Sequence, residues 1–494
     1  MKIVFLLTLS IALNLNGFGQ YFNKSYDFLN NIDGVLNIEH LDSNFLFFSG
    51  TRDSAGVFLG INTFSITSNG VLLDSNFIFI NNRNIYLGWA NSTSPTKDGG
   101  FIIGGGIADT SGFGFLIKLN KLRDTLWTKT FGDTTDYYTF RMAIQSSDGG
   151  YVAVGETSYP HGTFSDGWLV KTDSLGNKLW ERNYGQISLT ERLSSVYQCR
   201  DGGYILGGGR RHFGTNPNPQ VLNFDPMIIK VNAMGVHQWT YIHNTQFNDA
   251  VAYVIQTLDG NYVFGASTSH ASGGTGNGFG KASLLKIDSS GNLMWHKEYG
   301  FISNNHSFQR VLELPDSSLI AVGRRKESTS PVIKGLMVHT DKNGDSLFVA
   351  TYENNPNGVD SQNYLWDVVL MDDGGFMAAG EVIALPPALP YKQDAWVIRV
   401  DSNGCIISNC LVGEKSLEFS KKTIDLYPNP STGIVNIESE EGIKSISVYD
   451  MQGSFLKHIK GSLRQLELPT EKGLYLIRIE TEKGQVLNRK VVKQ

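Results

Sequence analysis

Cysteine, proline and charge are all scarce in this chain. Its 494 residues hold three cysteines and fourteen prolines, and only 18% are charged. Three cysteines, Cys199, Cys405 and Cys410, are too few for a disulfide framework and wrongly spaced for a zinc site. Cys405 and Cys410 bracket the short loop GCIISNC, and a disulfide between them is expected if the chain is exported. Cys199 is then left as a small apolar residue in a strand. The ten histidines have no ligand spacing, and neither His-Glu-x-x-His nor Gly-x-Ser-x-Gly occurs. No metal, cofactor or catalytic residue is therefore assigned. A net charge of -5 without a long basic run gives no reason to expect a nucleic-acid partner.

Long apolar runs are missing too, with one exception at the start. Met1-Lys2 leads into an apolar stretch from Ile3 to Leu13, followed by the small residues Gly17 and Gly19. A charged start, about eleven apolar residues and a small-residue exit make a secretory signal over 1–19. The stretch is too short to span a bilayer, so no transmembrane segment is expected in the mature protein.

What is plentiful is Gly, at 54 residues, with aromatics at 11% and many Asn, Ser, Thr and Asp. This is the composition of short strands joined by turns. The chain is too long for one ordinary core, and an internal repeat resolves the difficulty. Phrases such as QSSDGGYVAVG, QCRDGGYILGGG and LMDDGGFMAAG recur, marked by Asp42, Asp98, Asp148, Asp201, Asp259, Asp316 and Asp373. A second element follows each first one, with the pattern Asp-x-x-Gly-x-x-x-Trp; the first repeat is degenerate there, and the last, Asp401 to Cys410, has Ser408 in place of the aromatic. The pattern is clear at Asp173, Gly176 and Trp180, and at Asp288, Gly291 and Trp295; Asn120 and Trp127 keep its spacing without the Gly. Each repeat of about 50–58 residues holds four strands. Seven of them predict an all-β fold, a seven-bladed β-propeller over 20–412. The repeated tryptophans are expected to pack between neighbouring blades. Ring closure has two candidates: Tyr21–Tyr26, which resembles a fourth strand, and the segment Cys405–Cys410.

The repeat stops near Leu417, and a linker at 413–423 leads to a Lys/Glu-rich unit at 424–494 that reads as a small Ig-like β-sandwich. Its landmarks are Tyr427-Pro428-Asn429-Pro430, Gly433, VYDMQG at Val448–Gly453, Gly473-Leu474-Tyr475 and the closing Lys490-Val491-Val492-Lys493. Together they resemble the type A C-terminal sorting domain of the Bacteroidetes type IX secretion system. The resemblance implies the secretion machinery as a partner. It further implies export across both membranes, then release or attachment at the outer-membrane surface. The repeats also resemble propeller bodies that accompany such domains, which implies architecture rather than activity.

The Asp-Gly-Gly and Asp-x-x-Gly turns repeat and so share one face; the connections on the other face vary between blades. Variable loops on a rigid scaffold are where binding concentrates. Arg210, Arg211, His212, His270, Arg324 and Arg325 are the binding candidates there, near the central channel. Two motifs are weak. GGTGNGFGKA at Gly273–Ala282 lacks the spacing of a phosphate loop, and Asp341–Asp345 begins like a calcium loop but has Tyr352 at its twelfth position. The functional expectation is a secreted or surface propeller acting as a non-enzymatic binding module for a glycan, peptide or protein. The alternative is a secreted polysaccharide hydrolase or lyase with its site at the channel face. Candidates for that chemistry between the fourth and first strands include Tyr137, Glu191, Arg192, Asp249, His306, Arg310 and Asp360.

Overall fold

The computed structural model describes residues 21–494 apart from 29–31, 54–56, 81–82, 109–111, 159–163, 187–188, 214–221, 245–248, 250, 273–277, 304–305, 327–330, 356–358, 387–392, 407–424, 440–441, 451–454, 462–463 and 483–485. The expected leader, the linker and Cys410 fall outside the described residues. The chain divides into two compact units, Met1–Lys415 and Ser416–Gln494. The described secondary structure is strand throughout, and no helix there is long and apolar enough to cross a membrane.

The first unit is a seven-bladed β-propeller. Inner strands run over Ile32–Leu41, Ile85–Leu87 with Thr93–Pro95, Tyr137–Gln145, Thr190–Gln198, Tyr253–Gln256, His306–Glu313 and Ser361–Leu370. Second strands follow at Asn44–Arg52, Phe101–Ile107, Tyr151–Ser158, Tyr204–Phe213, Tyr262–Ser272, Leu319–Lys326 and Phe376–Ala384. Third strands lie at Phe58–Thr67, Phe113–Leu119, Ser165–Thr172, Leu222–Val231, Gly278–Ile287, Ile333–Thr340 and Gln393–Val400. Outer strands are Leu72–Ile78, Thr125–Phe131, Lys178–Tyr184, His237–Ile242, Leu293–Ser303 and Ser346–Tyr352 for blades one to six. The seventh outer strand is Phe22–Tyr26, paired antiparallel to Gln393–Val400 with Phe22 opposite Arg399. Of the two segments that could close the ring, the N-terminal one does so.

The repeated residues hold the blades in two ways. In five blades the marker aspartate is bridged by a basic residue from the third strand: Asp98–Lys118, Asp148–Lys171, Asp201–Lys230, Asp259–Lys286 and Asp373–Arg399, at 2.6–2.9 Å. The cations are buried and the carboxylates half exposed. Hydrogen bonds and the facing lysine outweigh burial and hold Asp98 and Asp148 down at about 2.

In six of the seven blades the outer-strand aromatic packs on the next blade's turn glycine. A Cβ on Gly235 would meet the Trp180 ring at 2.7 Å, and one on Gly291 would meet Trp239 at 2.9 Å. These glycines also have positive φ, 73° at Gly235. Only glycine satisfies both demands. A tyrosine on the same strand donates to that glycine's carbonyl, as Tyr184 does to Gly235 at 2.6 Å and Tyr299 to Gly344 at 2.7 Å. Tryptophan packing between blades is thus the structural role of the repeat.

The second unit is a seven-stranded β-sandwich. Asp425–Tyr427, Ile434–Glu438 and Gln465–Glu467 form one sheet; Phe455–Lys460, Ile443–Tyr449, Gly473–Thr481 and Val486–Lys493 form the other. Val435, Ile446, Val448, Leu466, Ile477 and Val491 fill the core between them.

Candidate binding site in the channel mouth

The inner strands are not regular. Five of them skip one residue of register near their middle: at Leu36, Arg141, Ser194, Gln309 and Trp366. A bulge leaves the extra residue unpaired and re-aims its side chain. In blade two the inner strand is interrupted altogether, and the break carries Trp89. The consequence is a channel lined by residues that a strict alternation would send elsewhere.

Trp89, Trp366, Arg141 and Leu36 line a cavity of about 490 Å³, joined by Tyr86, Tyr137, Glu156, Glu381 and Arg52. These residues come from blades one, two, three and seven. They sit toward the N-terminal ends of the inner strands, on the face of the variable connections. Trp89 is held by residues of three other blades. Its Nε1 donates to Gln309 Oε1 of blade six at 3.3 Å, across the channel. Its ring meets Trp366 edge-on at 5.8 Å, and the Arg141 guanidinium lies 5.4 Å from its centroid. The indole remains 41% exposed. On the far side of this waist, toward the Asp-Gly-Gly turns, a second recess of about 390 Å³ includes Glu39 and Arg310. Arg310 Nε lies 3.3 Å from the buried Asp367 carboxylate.

Charge in the mouth is concentrated and buried. Arg141 Nη2 donates to Glu156 Oε1 at 2.6 Å. Burial works against the Arg141 charge, but Glu156 leads the contributions that outweigh it and leave its pKa above the usual value. Arg192 and Arg324 are pushed the other way, chiefly by burial. Burial also pushes the Glu381 carboxyl up to about 7, against the pull of Arg324. Gln393 donates to that carboxyl at 2.7 Å. Tyr253 is pushed up to about 12 by burial, while Arg141, Arg192 and Arg324 all pull it down.

Of the six expected binding residues, Arg324 has its guanidinium 5.2 Å from the ring of Tyr364, a residue of the blade-seven inner strand. Arg210 lines a separate groove of about 370 Å³ with Glu191 and Tyr184. Arg211 lies 5.9 Å from the Phe224 ring, beside Arg192. Arg325 pairs in register with His306 and borders Gly300. His212 and His270 lie in second strands, and their side chains are outside the described residues. The sequence reading did not single out Trp89, Arg141, Glu156, Trp366 or Glu381. The available signal was a charged or aromatic residue inside an inner strand, as in TFRMAIQ. Cys405 is disulfide-bonded, and Cys199 is a free, buried thiol. Asp341 Oδ1 accepts from the backbone of Asn343 and Asp345 at 2.8 and 2.9 Å, so that carboxylate shapes its own turn.

In the C-terminal unit the landmark residues converge on the last strand. Asn429 Nδ2 donates to the Lys490 carbonyl at 2.8 Å, and its Oδ1 accepts from Val492 N at 2.9 Å. Lys493 Nζ donates to the Pro469 carbonyl at 2.6 Å, just ahead of Gly473, and the Tyr475 hydroxyl donates to the Glu471 carbonyl at 2.7 Å. Gly433 N donates to Ser431 Oγ, closing the turn after Pro428 and Pro430. The half-exposed Tyr427 pairs with Asn436 in the first sheet.

Comparison with known proteins bears on the two units differently. No curated protein matches the chain. Among solved structures, an ulvan lyase, a polysaccharide lyase with bound saccharide, is similar at 8% identity and TM-score 0.49, over 77% of this chain and 96% of that one. An α-L-arabinanase of Penicillium chrysogenum is similar at 11% identity and TM-score 0.39, over 62% and 92%. An endo-arabinase of Bacteroides thetaiotaomicron follows at 10% and 0.35, over 57% and 99%. Likenesses this distant say nothing of ligand or chemistry. Residues 425–494, by contrast, match the family model described as a secretion system C-terminal sorting domain. With its landmarks clamped on the closing strand, the second unit is a type IX sorting domain, and the chain is an exported protein, secreted or attached at the outer-membrane surface.

Proposed function

We propose that the propeller is a saccharide-binding module whose site is the channel mouth. The observation that supports this most is Trp89, a tryptophan 41% exposed that lines this cavity. Gln309, Trp366 and Arg141 hold it from three sides. A pre-positioned aromatic face with a few convergent polar groups suits a sugar ring, whose C–H face packs on the indole while its hydroxyls reach Glu156, Glu381 and Arg52. The volume lies inside the roughly 300–1,000 Å³ usual for small-ligand sites. A glycan panel on the purified chain tests the reading. Trp89→Ala is expected to weaken any hit by about tenfold or more. Absence of hits, or hits indifferent to Trp89→Ala, would sink it.

A hydrolase or lyase is the second reading, favoured by one feature. Glu381 is a buried carboxyl held up at about 7 in the same recess as Tyr137, a state suited to proton transfer near neutral pH. In that case Glu381→Gln would abolish depolymerisation of a bound polysaccharide and leave its binding intact. A bound polysaccharide that the wild-type chain never shortens would leave the binding module alone.

A further inference from the structure

We infer that the saccharide is a chain rather than a single sugar, and that it leaves the recess across blade one, over the bare backbone at Gly50. This rests on the saccharide reading and names the form of its ligand. The residue eight places after each marker aspartate sits on the second strand. In blades three and seven it is Glu156 and Glu381, which line the cavity. The same place is held by Gly50 in blade one, Gly106 in blade two, Gly209 in blade four, Ser267 in blade five and Arg324 in blade six.

The two glutamates, the serine and the arginine fill that place with their own side chains. The Ser267 hydroxyl bonds His306 at 2.8 Å, and the Arg324 guanidinium lies over the Tyr364 ring. Two of the glycines make room for neighbours. A Cβ on Gly106 would strike the Tyr86 hydroxyl, and one on Gly209 would meet the Phe224 ring at 3.1 Å and Val251 at 3.2 Å. Gly50 differs: a Cβ built there meets no described atom within 4 Å, and its φ is not positive. Neither packing nor backbone geometry calls for glycine, and glycine inside a strand is destabilising. A glycine in a strand also marks the close approach of a ligand, and Gly50 lines the cavity that holds Trp89. Gly34 stands opposite it in register, and a Cβ there would meet Glu381 Oε2 at 2.5 Å and Gln393 Nε2 at 3.0 Å. Gly34 thus yields space to protein side chains, whereas Gly50 yields it to none. Arg52 lies two residues further along the strand, on the same face, and is exposed while still lining the cavity. A chain with one ring on Trp89 can therefore continue over Gly50 toward Arg52.

Calorimetric titration of the full chain tests this with a neutral, a uronate-containing and a sulfated tetrasaccharide, each beside its own monosaccharide. At least one tetrasaccharide is expected to bind about tenfold or more tighter than its monosaccharide. Gly50→Val places a branched side chain that cannot turn aside. It should lower tetrasaccharide affinity about tenfold or more and leave monosaccharide affinity unchanged, with a smaller loss for Gly50→Ala. Both variants should keep or raise the melting temperature, because they remove backbone freedom from the unfolded chain. A lowered melting temperature in both would make Gly50 a structural glycine and overturn the inference. Tetrasaccharide binding that needs Trp89 but is indifferent to Gly50→Val overturns it too, and leaves the saccharide reading standing. So does a monosaccharide that binds as tightly as its tetrasaccharide. No binding of any of the six sugars overturns both.

Discussion

Glu381 is a single residue whose titration should be visible in the stability of the whole propeller. Burial raises its folded pKa to about 7, while in the unfolded chain it titrates near 4.3. Between those values the folded protein keeps a proton that the unfolded chain releases. Stability therefore falls as pH rises from about 4.5 through 7. Glu39, raised to about 8 by burial and by Asp367, adds to the same slope. Glu381→Gln is expected to flatten the slope over this window in urea titrations at several pH values. An unchanged slope would mean that the carboxyl is ionised in the folded protein. A second case shows residues exchanged in pairs. Arg123 stands where the other turns have glycine, with φ of 71°. No aromatic can pack on it, and the facing position in blade one is Asp74, which Arg123 binds through both guanidinium nitrogens, Nη1 to Oδ1 at 3.1 Å. The degenerate second phrase of the first two repeats is thus a compensated exchange of packing for charge.

At the scale of elements, the closing strand has the same parts as the outer strands it imitates. Phe22 occupies the tryptophan position, and a Cβ on Gly70 of blade one would meet its ring at 2.9 Å. Tyr26 donates its hydroxyl to the Gly70 carbonyl at 3.0 Å, as Tyr184 and Tyr299 do at their own junctions. The Asn23 side chain further accepts from Trp396 Nε1 at 2.7 Å. Phe22 is buried. Phe22→Ala should lower unfolding free energy by about 3–5 kcal/mol, the range for truncating a buried aromatic, read from urea melts of the full chain. A loss under about 1 kcal/mol would show that the N-terminal strand does not lock the ring. A further set of clasps links neighbouring turns: the last inner-strand glutamine accepts from the preceding blade, as Gln145 does from Lys97 N at 2.7 Å and Gln198 from Ser147 N at 2.7 Å. Between blades six and seven the donor position is Pro315, which has no N–H, and the acceptor position is Leu370. Both halves of that clasp are missing together.

At the scale of the molecule, the propeller and the sorting domain are separate compact units. The sorting domain has its own core and its own clamp on the final strand. A chain ending at Lys415 should therefore still form the propeller but accumulate in the periplasm. Fractionation of producing cells, with the propeller followed by antibody, measures this. Truncated protein in the medium or on the surface would show that the address lies elsewhere.

Seven repeats, four strands each, and the sorting domain were legible from residues 20 onward because turn chemistry and strand alternation are local. Asp-Gly-Gly demands a tight turn wherever it occurs, and Tyr427–Pro430 with the closing lysines is a specific phrase. The packing of Trp180 on Gly235 was also foreseeable from a tryptophan that recurs once per blade. Ring closure was not: Tyr21–Tyr26 and Cys405–Cys410 were equally plausible partners in sequence. Only three-dimensional proximity to Gln393–Val400 chose between them. The channel mouth was hidden for a related reason. A bulge at Arg141 or Trp366 reverses the phase of alternation without marking it in the sequence, and residues from blades two, three, six and seven meet only when the ring closes. Sequence by itself determined the strands, their number and the address of the protein. Tertiary structure decided which side chains face one another across the axis, because that depends on register and closure rather than on any local pattern.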